Sequence, residues 1–339
     1  MKSKSRPKLL VIGSGFHKHI LGKQLSPLAS WCTLLKQVAL TKKLDFSRLD
    51  LSQPTLAWES MVTALVGKDK KREIVASDAE NELRKTTVEI LAKDADKYKD
   101  IYRNHPLFDS MAKFHGHILN LNFDHLLDQL LGISERAIPT LSNLPTPHAG
   151  RKMDSAGLYR RWISIQGDHD CLTTVWHPHG TILEKDSLRL GLRDYGFQPV
   201  LFAGAFECFK AWEKEILGSN GSKQPRTEKD YLTLLERAKS LDIQDNSSKK
   251  KPIDLHNNWV TRFMLYDVII IGAGLSADEI GLRWLLVQRQ RNFARIKDPK
   301  KRPKTVYMDV NNAIPFGLVE LDFFGSWEHA WEKALIWGS

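Results

Sequence analysis

Two short strings hold residues able to act on a bond. Ile118–His125 reads ILNLNFDH, an apolar run that ends in Asn122, Phe123 and Asp124. Trp176–Gly180 reads WHPHG and closes a second apolar run with His177 and His179. An asparagine amide holds a water or a sugar hydroxyl without adding charge. An imidazole titrating near neutrality can take a proton, and a carboxylate can orient either neighbour. Two glycine-bearing strings could supply the anion cradle that a phosphorylated substrate needs. Gly13-Ser14-Gly15-Phe16 follows LLVI, and Gly272-Ala273-Gly274-Leu275-Ser276-Ala277 follows VIII. Glycine after a strand lets backbone N–H groups approach a phosphate closely.

Each string also has a plainer use. Asn122 and Asp124 sit just before the apolar Leu126–Leu130 and could cap a helix there. Position 18 is Lys, so the first glycine turn lacks the third glycine of a dinucleotide fingerprint. The second turn satisfies G-x-G-x-x-A, yet no strand ending in an acid follows about 20 residues on, and Asp298 stands in a Lys/Pro loop. A flavin or nicotinamide dehydrogenase is therefore not expected. His17/His19, His115/His117 and His177/His179 are each spaced i, i+2, which on an extended chain puts both rings on one face. That spacing makes a metal-dependent hydrolase the competing enzyme class. No carboxylate-rich strand end joins the pairs, and twelve histidines generate such spacings by chance.

The elements that must position these residues alternate between strand and helix. Strands are expected at Leu9–Ile12, 117–123, 173–177, 186–192, Val268–Ile271 and Thr305–Val310. Between the first two, residues 24–112 read as helix, forming an insertion or cap that includes a capping box at Ser77-Asp78-Ala79-Glu80. Further helices are expected at Phe206–Leu217, at Tyr231–Leu241, and after Gly274 with Ile280, Trp284 and Val287 on one side. Residues 218–226 and 243–252 are polar and rich in turn-formers, so they read as loops. The alternation predicts one α/β domain over 1–339 built on a parallel, doubly wound sheet. The tail at 313–339 is rich in aromatics and could pack on the core or dock a partner.

Composition bounds the rest. The chain has 339 residues, 42% hydrophobic and 27% charged, with three separated cysteines and a net charge of +10. The cysteines form no CxxC pair, so neither a disulfide framework nor a four-cysteine zinc ribbon is expected. The basic excess gathers in loop-like clusters such as KDPKKRPK, without an aromatic reader motif, so direct nucleic-acid binding is not expected. No apolar run spans a bilayer. The first apolar run is about five residues long, shorter than a signal-peptide core. A cytoplasmic protein without membrane attachment is expected.

The order of the strings is more specific than any one of them. GSGF, NFD, HPHG, LRLGLRDYGF, IIIGAGLSADE and MDVNN follow one another in the order found in the sirtuin-like family. The chain resembles the bacterial branch of that family, which cleaves NAD+ rather than deacetylating lysines. Ser30-Trp31 followed by Leu34-Leu35 is similar to that family's segment after the first turn, and the likeness spans about residues 9–312. His17 stands where the family often has Ser, and the zinc-binding cysteines of the deacetylases are absent.

The resemblance implies a Rossmann-like fold and an NAD+ nucleosidase that needs no metal. Asn122 and His179 would be catalytic, His179 being chosen over His177 because it directly precedes Gly180, and Asp124 would orient Asn122. Gly13, Ser14, Gly15 and Phe16 would line the pyrophosphate and nicotinamide side. Gly272, Gly274 and Ser276 would face the adenosine half, with Asp309 or Asn311 near the adenine ribose or base. Relatives of this kind act as NAD-depleting effectors in antiphage defence. The resemblance therefore implies an activity held off until an oligomer, a separate sensor subunit or a small signal releases it. A non-catalytic nucleotide-binding module of a defence complex is the third reading.

Overall fold

The computed structural model describes residues 6–68, 75–112, 114, 116–131, 161–165, 172–218, 226–238, 241, 258–275, 278–309 and 320–338. Its sheet is made of β1 (Lys8–Ile12), β2 (His117–Asn120), β3 (Arg161–Ile165), β4 (Leu172–Trp176), β5 (Asp267–Ile271), β6 (Thr305–Asp309) and β7 (Glu320–Phe323). The strand order is β3-β4-β2-β1-β5-β6-β7. β3 runs antiparallel to β4 at one edge, and the other neighbours are all parallel. Counting the parallel strands alone in chain order gives 3-2-1-4-5-6, the doubly wound order whose ligand crevice opens where the winding reverses. Here that reversal lies between β1 and β5, which pair from Lys8↔Asp267 to Ile12↔Ile271.

A strand covered on both faces has no polar side to show, and Leu9, Leu10, Val11 and Ile12 are all fully buried. Their side chains alternate between two cores. Leu10 and Ile12 join Ile118, Val175, Ile269 and Ile271 in one, while Leu9 and Val11 join Leu119, Trp176, Val268 and Ile270 in the other. The first core is completed by α1 (Gly15–Leu21), α2 (Trp31–Thr41), α3 (Pro54–Lys68), α4 (Ala76–Arg103), α5 (Pro106–Ala112), α6 (Leu126–Leu130) and, from the far end of the chain, α11 (Trp327–Gly338). The second is completed by α7 (Leu192–Leu217), α8 (Glu228–Ala238), α9 (Trp259–Leu265) and α10 (Ile280–Phe293).

The helical stretch expected at 24–112 is thus a covering layer of the sheet that shares its core. The aromatic tail packs inward: Ala330, Trp331, Ala334 and Leu335 are buried, and Trp331 meets Phe16 edge-on at 5.8 Å between ring centres. On the opposite face one buried cation terminates a helix. The Arg289 guanidinium donates to the carbonyls of Phe263, Met264 and Tyr266, satisfying the end of α9, and to that of Lys304 just before β6. Burial lowers its pKa to about 9.

Several expectations need correcting. Residues 186–192 do not form a strand. Their backbone is used up locally: Ser187 N–H donates to the Glu184 carbonyl, Arg189 N–H to the His179 carbonyl, and the Leu188 carbonyl accepts from Arg84. The segment is a short 3-10 turn followed by the start of α7, which runs 26 residues from Leu192 instead of starting at Phe206. The capping box at 77–80 is not realised, because α4 already begins at Ala76 behind Val75, whose side chain makes no cap. Asp78 then serves the first turn through its charge near the helix N-terminus. Ile280 is half exposed, and α10 buries Leu282, Leu285 and Leu286 instead. Strands β3 and β7 and helix α9 had no counterpart in the sequence reading. Nearly all of the loop expected at 218–226, and all of that at 243–252, lie outside the described residues. No helix among the described residues is long and apolar enough to cross a membrane.

Candidate active site

Four strand ends and one helix start meet at the crevice. β1 gives way to Gly13-Ser14, and β5 to Gly272-Ala273-Gly274. The two glycine turns interlock: Gly15 N–H donates to the Gly272 carbonyl at 2.8 Å, and Gly272 takes a positive φ of 65°. A Cβ at Gly13 would meet the Gly272 oxygen at 2.8 Å, and one at Gly15 would meet the same atom at 2.8 Å. Glycine is thus required at 13, 15 and 272 for backbone to pass backbone. Gly13, Ser14 and Gly274 remain on the wall of a cavity of about 220 Å³.

β2 ends with Leu121 N–H donating to the Ile12 carbonyl, which carries the chain straight to Asn122. Asn120 Oδ1 then accepts from Asn122 N–H at 3.1 Å, and the Asn122 amide donates to the Gly13 carbonyl at 3.2 Å. The loop after β2 is in this way tied to the turn after β1, with Asn122 on the cavity wall at 8% exposure. Asp124 has two duties. Its Oδ1 accepts from Leu126 N–H and starts α6, while its Oδ2 lies 2.8 Å from His17 Nε2. The carboxylate keeps the His17 proton on Nε2, so Nδ1 accepts from the Tyr102 hydroxyl at 2.6 Å. Burial would push the Asp124 carboxyl up, but His17, the Leu126 N–H and His125 hold it below its ordinary value. Burial, reinforced by the charges of Asp124 and Asp94, raises the Tyr102 phenol, which stays neutral.

β4 ends at His177-Pro178-His179-Gly180, and the two histidines part company. The His177 ring turns beneath the Asn122 loop, with Nε2 at 3.0 and 3.2 Å from the Asp128 oxygens and Nδ1 at 3.2 Å from the Asn122 carbonyl. Burial disfavours its charge, but Asp128 and the Asn122 carbonyl raise its pKa above the ordinary value. Burial likewise acts to raise Asp128, whereas His177 and His125 depress it well below a free carboxylate. His179 faces the cavity instead. Gln198 donates to its Nδ1 at 2.8 Å, Tyr195 stacks on it at 5.1 Å, and its Nε2 lies 3.2 Å from Glu279 Oε1. Gly180 permits this turn with φ of 81°, since a Cβ there would run into the Ser187 carbonyl. Burial, with Glu279, Asp278 and Asp194 nearby, holds the Tyr195 phenol well above its usual pKa.

The structure therefore brings Gly13, Ser14, Asn122, Asp124, His179 and Gly274 to one cavity. Gly15 and Gly272 pack against each other beneath it. Phe16, expected on the nicotinamide side, is instead 1% exposed in the core against Trp331, because α1 turns its side chain away from the crevice. Asp309 ends β6, and Ser276 and Asn311 lie outside the described residues. Sequence reasoning missed Glu279, Tyr195 and Gln198. The acid pair Asp278-Glu279 right after the second glycine turn was the available signal, and Tyr195 and Gln198 stand one helical turn apart.

The i, i+2 histidine spacing does not gather ligands. His17 and His19 lie on helix α1, where that spacing turns the rings apart, and His19 sits beside His105. His115 lies outside the described residues, while His117 Nε2 accepts from Arg262. Among the described residues, the group able to hold a metal is a different one: His125, Asp128 and His177, with ligand atoms within 4.8 Å of one another. These donors engage one another as ion pairs at 3.0 Å and are not among the residues lining the cavity.

Comparison with known proteins gives no match, either to a family model or to a curated protein sequence.

Proposed function

We propose that the chain is a sirtuin-like NAD+ hydrolase that releases nicotinamide and ADP-ribose. The observation that carries this reading is the convergence of the two glycine turns, Asn122 and His179 on one cavity at the winding reversal of the sheet. Separate stretches of chain, more than 250 positions apart between Gly13 and Gly274, supply the parts that such a reaction needs.

The chemistry suits what lines the cavity. The nicotinamide of NAD+ departs as a neutral base from a cationic ring, so no acid is required for leaving. The difficulty is the oxocarbenium-like transition state, in which positive charge grows on the ribose while water approaches the anomeric carbon. The Asn122 amide, pinned to the Gly13 carbonyl, would orient the ribose hydroxyls or the water. The carboxylates of Asp124, Asp278 and Glu279 border the cavity and favour developing positive charge. The backbone at Gly13-Ser14 and the turn at Gly274, both on the cavity wall, would meet the pyrophosphate and the adenosine half.

In the cell, this activity would deplete NAD+ as an effector of antiphage defence. It would be restrained until a homo-oligomer forms or a separate regulatory subunit or small signal intervenes. The helical layer reaches the reacting loop through Tyr102, His17 and Asp124, a direct route for such control.

The test is nicotinamide release by the purified protein, alone and with its genomic neighbours, beside cellular NAD+ levels during expression. Asn122→Ala should remove both effects. A metal-dependent hydrolase would instead lose activity on chelation, and undiminished turnover by Asn122→Ala would overturn the assignment.

A further inference from the structure

Among the described residues, two buried polar atoms of residues lining the cavity have no hydrogen-bond partner: His179 Nε2 and Glu279 Oε2. They belong to side chains that face each other, with His179 Nε2 at 3.2 Å from the other Glu279 oxygen, Oε1, but turned off the hydrogen-bonding line. Buried polar groups are satisfied in almost every folded protein, and unsatisfied pairs at a cavity wall mark where a ligand or reacting group belongs. Both side chains are held in place, since His179 is 1% exposed and the Glu279 side chain 15%.

The position of the proton on His179 follows from its neighbours. Gln198 donates to Nδ1, which leaves Nε2 as the protonated nitrogen of the neutral ring. The Glu279 carboxylate acts in the same sense, because an imidazole lone pair facing a carboxylate at 3.2 Å would be repelled by it. His179 therefore presents an N–H to Glu279 and has no free lone pair with which to take a proton from water. Of the three carboxylates that border the cavity, Asp124 is engaged by His17 and the Leu126 N–H and Asp278 by the Thr55 hydroxyl, whereas Glu279 Oε2 has no hydrogen-bond partner among the described residues.

We infer that Glu279 is the proton acceptor of this site, and that His179 is a positioning residue whose Nε2–H faces the carboxylate. The inference rests on the NAD+ hydrolase reading and refines it. A water between Glu279 Oε2 and the anomeric carbon loses a proton to the carboxylate as its oxygen bonds to that carbon. The C–N bond to nicotinamide breaks, and its electron pair neutralises the pyridinium ring. The products are nicotinamide, ADP-ribose and a proton, which Glu279 returns to solvent. Glu279 leads into α10 directly after the second glycine turn, so the strand end that would approach the phosphates also sets the base.

Glu279→Gln keeps the shape and the hydrogen-bonding ability but not the basicity. Its nicotinamide release should fall by about 10²–10⁴-fold, with NAD+ binding by calorimetry retained. The acid limb of the pH–rate profile should vanish from its residual activity. Glu279→Ala, with space for a small anion, should recover activity on addition of formate. Wild-type turnover by Glu279→Gln, or an unchanged acid limb, would overturn the inference while leaving NAD+ hydrolysis intact. Absence of NAD+ turnover in the activated wild type would instead overturn the NAD+ hydrolase reading. In that case ¹⁵N NMR of the imidazoles decides: an Nε2–H tautomer at His179 supports the pair, and an Nδ1–H tautomer refutes it.

Discussion

Removing the His177 ring tests how the floor of the site is built. The ring is fully buried, with Nε2 reaching both oxygens of Asp128 and Nδ1 reaching the Asn122 carbonyl. Breaking a buried ion pair by deleting one partner costs about 3–5 kcal/mol, because the other charge is left uncompensated. Here His125 Nδ1 stays 3.0 Å from Asp128 and offsets part of that cost. His177→Ala should therefore fall at the lower end, near 3 kcal/mol, or roughly 4 °C in Tm for a domain of this size. Asp128→Asn should cost a similar amount, since it leaves two imidazoles without their counterion. The double variant then loses less than the sum, by a coupling energy of about 2 kcal/mol. Urea unfolding of the four proteins followed by tryptophan fluorescence measures all three quantities. Single costs below about 1 kcal/mol, or additivity within about 0.5 kcal/mol, would refute the account of this cluster as a coupled ion-paired unit.

Other outcomes follow from the same geometry. The His177 pKa is raised above 6.5, so its contribution to stability is complete below that pH and fades as pH climbs through the raised value. The carboxyl of Asp128 is depressed below 3.8, so its contribution is complete above that pH and fades as pH falls through the depressed value. Urea midpoints between pH 4 and 9 should decline on the alkaline side in the wild type and decline less in His177→Ala; identical slopes would contradict the shift. Gly15→Ala drives a methyl group into the Gly272 backbone and should cost about 3 kcal/mol or more of stability, read as a lower Tm, whereas Gly67→Ala, in open space on α3, should be neutral or slightly stabilising. Arg289→Met strips the Phe263, Met264 and Tyr266 carbonyls at the end of α9 of their side-chain donor, while the Lys304 carbonyl still accepts from Val268 N–H, and should destabilise by about 3 kcal/mol in a denaturant titration. A loss below about 1 kcal/mol there would mean that the carbonyls find other donors.

Much of this architecture could be read from local signals. Leu9–Ile12 and Val268–Ile271 are short β-branched or aliphatic runs bounded by glycine, and burial on both faces leaves such a run no alternation to confuse. The residues of the cavity were legible for the same reason: polar side chains placed right after an apolar strand have few places to go except the crevice. What local reading could not supply was pairing across the chain. Phe16 adjoins a glycine turn and looks like a pocket residue, yet Trp331 receives it in the core. Residues 186–192 alternate like a strand, but Arg84 and the backbone of the Glu184 turn take their carbonyls and N–H groups first. Glu279 was visible as an acid at a helix start. Its significance depends on His179, which is a hundred positions earlier and comes from another strand end.

The placement of β1 at the centre of the sheet has a consequence for how the protein is made. β1 must pair with β2 on one side and with β5 on the other, and β5 is about 260 positions downstream. At ribosomal rates of about 5–20 residues per second, that neighbour emerges roughly 13–50 s after β1. During this interval β1 presents an open edge that is apolar from Leu9 to Ile12, the kind of strand that seeds association with another nascent chain. Trp331, which covers Phe16 at the start of α1, arrives later still. A chaperone that shields the first strand should therefore raise the soluble yield more than one acting after release from the ribosome.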